Sequence, residues 1–246
     1  MRMDVIVTAS LLSLVLASAS KADGQFSGRL TFHPAGCEQQ RECYLDENFD
    51  YTDSQGIDWE AQKDDKTDGA SIPDWAQPGI GLPFDSGFIR AAVIHDHYCD
   101  RHVRPMLQTH WVFYDGLLAS HVSSVKAKIM YAAILIGGPK WIDLIPGKPC
   151  KQGAVCVQGI SKVHLPADAY VGAAEDAHSI VARGPQYDKP EVKAAIQEIR
   201  QKIEMNPDAV SEADILAEAR KVPQNEFFFD NINGIEINPS PVDAKQ

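Results

Sequence analysis

Between Thr67 and Leu117 the chain places a glycine turn ahead of two apolar helical stripes, each carrying an inward histidine. Phe88, Ala91, Ala92, His95, Tyr98 and Cys99 recur at i, i+3, i+4 and i+7, which puts them on one face of a helix from about Asp85 or Ser86 to Asp100. Either of those two residues can cap it. Pro105 marks the turn that follows. A second helix is predicted over about Met106 to Ser120, with His110, Phe113, Tyr114, Leu117 and His121 as its stripe. A buried imidazole needs a hydrogen-bond partner. The two helices are therefore expected to pack so that His110 meets His95.

Adjacent helical residues point about 100° apart, so His95 and Asp96 cannot do the same job. His95 faces the second helix. Asp96 lies at the flank, toward the loop Thr67-Asp68-Gly69-Ala70-Ser71. A carboxylate beside exposed loop carbonyls suits a hard cation. An imidazole beside that cation can deprotonate water while the cation polarises an ester carbonyl. The bland alternative is a pair of satisfied core histidines beside a capped turn.

The spelling of this region resembles two families. Asp68-Gly69-Ala70-Ser71, Pro73-Asp74, Pro83-Phe84, Ala91-Ala92, His95-Asp96 with Tyr98, and Phe113-Tyr114 resemble the secreted phospholipase A2 enzymes of bacteria and fungi over about residues 67–117. Over about residues 25–141 the chain is similar to a bacterial and phage family known only as a domain of unknown function. That family has Thr-Asp-x-Ala-Ser-x-Pro, His-Asp-x-x-Tyr and Ala-Asp-x-x-Phe motifs after a strand pair. The phospholipase resemblance implies calcium held near Asp68 and Gly69 and by Asp96. It also implies His95 as general base and position 110 as its orienting group. The chain departs from that pattern at 110, where His110 stands for an aspartate, and at Ala70 and Ala92, where the enzymes have cysteines. A neutral histidine stabilises an imidazolium less than a carboxylate does. Imidazole ligands also favour zinc over calcium. A zinc-dependent hydrolase using His95 and His110, with Asp68 or Asp96 nearby and His97 and His102 as further candidates, is the alternative chemistry. A non-enzymatic envelope or phage-type protein keeping the helix pair as a scaffold is the alternative without chemistry.

The rest of the chain frames this centre. Residues 1–19 read as a signal peptide, with an apolar run from Val5 to Leu16 and Ala17-Ser18-Ala19 after it, which implies a secreted or periplasmic protein. The run is too short to span a bilayer, so no integral membrane segment is expected. Residues 20–143 form a strand pair plus the His-Asp helical core, and residues 144–246 a loop and helical C-terminal extension of unknown partner. Strands are expected over residues 25–62, two of them around the Asp53-Ser54-Gln55-Gly56 turn. Further helices are predicted over Val125 to Ile136, Lys189 to Glu204 and Ser211 to Lys221. Residues 144–166 read as loop. Phe227 to Phe229 and Ile235 to Ile237 read as a hairpin around Asn233-Gly234. The fold class is thus α+β: a small N-terminal antiparallel sheet, a phospholipase A2-like helical core and a helical extension.

A formal charge of −11 gives no general attraction to nucleic acid or anionic lipid, and no basic cluster interleaves with aromatics. The expected partner is a phospholipid or other ester. Cys37/Cys43 and Cys150/Cys156 are close pairs expected to bridge locally. Cys99, at core spacing in a helix, reads as a small buried hydrophobe. Asp115, off the inward stripe, reads as exposed.

Overall fold

Asp53 makes the turn between two N-terminal strands rigid. One carboxylate oxygen accepts the N–H groups of Gln55 and Ile57, and the other accepts the Trp59 indole N–H, all at 2.9 Å. The turn holds β4 (Phe49–Thr52) antiparallel to β5 (Asp58–Ala61), with β1 (Gln25–Ser27) on the other side of β4. Phe49, Tyr51, Trp59 and Ala61 alternate with exposed or half-buried residues and face inward. A second small sheet runs in the order β2 (Phe32–His33), β3 (Cys43–Leu45), β6 (Lys66–Thr67). The expected Cys37–Cys43 disulfide is present. The computed structural model describes residues 23–148, 156–157, 163–237 and 240–241. The signal segment and Cys150, and with it the expected Cys150/Cys156 bridge, lie outside the described residues.

The helical core follows the sequence pattern closely. After a short α1 (Gln77–Ile80) come α2 (Ile89–Arg101), α3 (Met106–Ala119) and α4 (Ser124–Gly137). Ser123 caps α4 by accepting the Lys126 N–H. Helix α2 starts later than its expected caps. Phe88 stands at the N-cap, and Asp85 turns its carboxylate back to the Leu82 N–H at 3.1 Å. Opposite faces of α2 enter different cores. Phe88, Ala91 and Ala92 pack with Phe113, Tyr114 and Leu117 of α3 and with α4. Ile89, Val93, Ile94 and Tyr98 pack under Leu45, Phe49, Tyr51 and Trp59. Tyr98 therefore leaves the expected inward stripe, and its hydroxyl accepts the Glu60 N–H at 3.2 Å. Each fully buried aliphatic of this kind contributes roughly 1.5–3 kcal/mol.

Asp115 corrects the reading of α3. It is buried, and its Oδ2 accepts the Tyr51 hydroxyl at 2.7 Å and the Ser54 N–H at 2.9 Å. The second polar face of α3 is thus tied to the N-terminal sheet.

The extension packs into the same main core through Val192, Ile196, Ile199 and Ile203 of α5 (Pro190–Met205) and Ile215 and Ala219 of α6 (Glu212–Arg220). Ser211 and Asp214 form a capping box at the start of α6. A four-stranded sheet, unexpected from the sequence, runs in the order β11 (Ile235–Ile237), β7 (Lys140–Pro146), β10 (Ser179–Arg183), β9 (Tyr170–Ala173). β8 (Cys156–Val157) and β12 (Ser240–Pro241) form a separate antiparallel pair. The expected C-terminal hairpin is not formed. Residues Glu226–Asp230 make α7, and β11 runs parallel to β7. Phe228 buries against Ile142, Leu144, Val181 and Ile237.

Helices α2 and α3 approach closely because their contact residues are small. A Cβ on Gly116 would lie 3.0 Å from the Ala91 Cβ and 3.3 Å from the Phe26 ring. Gly116→Val is expected to destabilise the protein by about 1–3 kcal/mol through overpacking, read as a lower urea midpoint. An unchanged midpoint would show that the contact is slack.

Candidate functional site

Gly69 sits at φ +80°, and a Cβ there would meet the Pro83 carbonyl oxygen at 2.7 Å. Only glycine permits this turn. It lets the Ala70 N–H reach that carbonyl at 2.9 Å. Thr67 then joins the loop to α2. Its hydroxyl accepts the Gly69 N–H at 3.1 Å and donates to Asp96 Oδ2 at 2.5 Å. Asp68 is held by Arg41 at 3.4 Å and by the Ser71 hydroxyl at 3.2 Å. The loop and Asp96 thus meet, as the sequence implied.

The two histidines also meet. His110 Nε2 lies 3.0 Å from the Pro139 carbonyl oxygen, and His95 Nε2 lies 3.0 Å from His110 Nδ1. A carbonyl only accepts, so His110 carries its proton on Nε2. Its Nδ1 must then accept, and His95 donates from Nε2. The lone pair of His95 is left on Nδ1, 3.7 Å from Cys99 Sγ and 3.9 Å from Asp96 Oδ1. Both rings are neutral. Burial, and then Lys140, push His95 down to about 3. Burial, His95 and Lys140 hold His110 well below the ordinary histidine range. Asp96 moves the other way. Burial raises its carboxyl well above the usual value, and Asp68 and Asp100 add to this against the Thr67 hydrogen bond.

These groups open onto a cavity of about 720 Å³. His95, Asp96 and Cys99 form part of its lining. Ile72, Trp75 and Ile80 line one part, and Phe113, Met130 and Ile134 another. Tyr170, Tyr187, Ile196 and Arg200 come from the extension, and Arg41, Lys66 and Asp100 add charge. Such a chamber suits an apolar chain attached to a polar reacting group.

Of the other candidate ligands, His97 falls elsewhere and His102 reaches the cavity wall. His97 is buried away from the pair and bonds Asp65 at 2.6 Å. Burial alone would raise the Asp65 carboxyl, but His97, the Gln62 N–H and Arg101 together hold it below the ordinary value. His102 ends α2 in the left-handed conformation, against Trp141. Two participants were not singled out from the sequence. Pro139 closes the histidine chain. Lys140 is fully buried and donates to the Gly138 and Ile134 carbonyls at the end of α4. Cys99, read from the sequence as a small buried hydrophobe, instead keeps some exposure at the cavity and lies 3.3 Å from His95 Nε2, as its i+4 spacing from His95 permits. Among the described residues no Lys or Arg pairs with Asp96. A buried carboxylate short of positive charge, beside Asp68, fits a hard cation by charge and by donor type.

Residues 43–134 match the family described as "Protein of unknown function (DUF1353)". This stretch contains the loop, both histidines and α2 to most of α4, so the expected kinship with a family of unknown function holds there. Two proteins of Sinorhizobium fredii (strain NBRC 101917 / NGR234) are similar to the chain. Uncharacterized protein y4iH is 48% identical over 128 residues, which are 50% of this chain and 54% of that protein. Uncharacterized protein y4jT is 35% identical over 135 residues, 53% of this chain and 40% of that protein. The chain thus spans about half the length of these relatives. No solved structure matches it.

The neutral state of His110 carries a pH signature. Its folded pKa lies below the unfolded value of about 6.5. The unfolded chain therefore gains a proton first on acidification, and the stability tied to the neutral ring, full above about 6.5, is lost as pH falls. A glutamine at 110 offers one acceptor and one donor but does not titrate. Relative to His110→Gln, the wild type is expected to lose roughly 1.4 kcal/mol per pH unit below about 6.5, measured by urea unfolding. Parallel pH curves would contradict the assignment.

Proposed function

We propose that this protein is an exported, phospholipase A2-like hydrolase of esters with an apolar acyl chain, and that His95 is its general base. The observation that carries this reading is the His95–His110–Pro139 hydrogen-bond chain, which leaves the unprotonated Nδ1 of His95 beside Asp96 at the cavity. His95 Nδ1 takes the proton of a water that attacks the ester carbonyl. His110 holds the ring in the tautomer this needs, and Pro139 holds His110. The Pro139 carbonyl supplies a dipole where an aspartate would supply a full charge, so the imidazolium gains less stabilisation. Asp96 lies close enough to Nδ1 to share in that role when ionised. Apolar residues around the cavity take the acyl chain and exclude water.

Asp96, Asp68 and the carbonyl of Gly69 would hold a calcium ion. Such an ion, when bound, polarises the ester carbonyl and stabilises the oxyanion. Thr67 aligns Asp96 for this task.

The test is fatty-acid release from phosphatidylcholine in mixed micelles, with calcium and with chelator. Release is expected with calcium only. His95→Gln should lower turnover by about 10²–10⁴-fold, and Asp96→Asn should remove the response to calcium. Turnover that survives His95→Gln, or a folded wild type that releases nothing at any calcium concentration, would overturn the reading.

A further inference from the structure

A thiol lies against the two imidazoles. Cys99 Sγ is 3.3 Å from His95 Nε2, which is 3.0 Å from His110 Nδ1. All three donor atoms fall within 4.8 Å of one another. His95 and Cys99 share a face of α2 one turn apart, and His110 comes from the facing first half of α3. Zinc–nitrogen distances of about 2.0–2.1 Å and a zinc–sulfur distance of about 2.3 Å, in tetrahedral geometry, place such donors about 3.3–3.6 Å apart. The two separations from His95 Nε2, 3.0 Å and 3.3 Å, are within a few tenths of an ångström of that arrangement.

We propose that His95 Nε2, His110 Nδ1 and Cys99 Sγ form a binding site for a divalent transition metal of zinc's class, and that the bound metal switches off the base. Two imidazoles and a thiolate are borderline-to-soft donors, which take zinc in preference to calcium or magnesium. The outer contacts already suit the metal. The Pro139 carbonyl fixes the Nε2 proton of His110 and presents its Nδ1 lone pair, and Asp96 stands 3.9 Å from His95 Nδ1. His95 and Cys99 both line the cavity, so an ion has a route in and a fourth position is left for water.

The proton balance gives the consequence. The Cys99 thiol releases its proton to solvent. The His95 ring carries its proton on Nδ1 in place of Nε2. His110 keeps its Nε2 proton on Pro139. His95 Nδ1, the atom that accepts a proton from water in the hydrolytic reading, then has no lone pair. The switching part rests on that reading; the metal site does not.

Wild type and Cys99→Ser would be dialysed against zinc, and against cobalt(II) as a spectroscopic substitute. One ion per chain and a thiolate-to-cobalt charge-transfer band are expected for the wild type. Cys99→Ser should lose the band and bind zinc at least tenfold more weakly. Equal zinc affinity in the two proteins, or a cobalt complex without the thiolate band, would overturn the site. In the micelle assay, zinc should inhibit the wild type at concentrations at least tenfold below those inhibiting Cys99→Ser. Zinc binding through Cys99 with turnover unaffected would overturn the switch and leave the site standing. Zinc binding with no hydrolysis under any condition would sink the hydrolytic reading instead.

Discussion

The structure depends on the burial of α2 on two opposite faces. One face is pressed under the N-terminal strands by Val93, Ile94 and Tyr98, and the other against α3 by Ala91 and Ala92. A helix fixed from both sides cannot rotate without exposing one of its cores. The direction of His95 is therefore set by packing, and its hydrogen bond to His110 is a result of that packing. The cavity forms at the remaining flank, where Asp96 and Cys99 keep some exposure. Small residues at the α2–α3 contact let the two imidazoles approach. Larger residues there would keep them apart whatever their chemistry.

Polar atoms carry the geometry outward from this helix. Thr67 links Asp96 to the glycine turn, and Pro139 links His110 to the start of β7. Asp115 links the other side of α3 to Tyr51 and the β4–β5 turn. Each is a buried or half-buried group with its partners in place, which is the condition for polar groups to sharpen a core. The histidines are neutral for the same reason that they are fixed. There is little water around them to support a charge.

Much of this was legible in the sequence, for a definite reason. Helices α2 to α6 show apolar residues at helical period, and that period survives whatever the helix packs against. The Asp53 turn and the meeting of His95 with His110 followed from local spacing. The sheet β11-β7-β10-β9 did not. Its central strands are buried on consecutive positions, so they show no alternation, and two of them carry charges, Lys140 and Arg183, that look exposed in a sequence. Their partners are the α4 carbonyls and Asn225, which are distant in the chain or part of the backbone. Phe227 to Phe229 misled because aromatic runs favour strands, whereas here a long-range apolar cluster sets a helical turn. Asp115 misled because a stripe accounts for one face of a helix, and α3 has two.

The division of labour around the cavity has a structural consequence. His95, Asp96 and His110 lie within residues 43–134, the stretch that matches the family of unknown function. Tyr170, Tyr187, Ile196 and Arg200, which complete the chamber, lie outside it. Substitutions in that C-terminal part would therefore reshape the chamber while leaving the imidazole pair in place. Two chains with the same histidines could thus present chambers of different shape, set by side chains far from the pair in sequence.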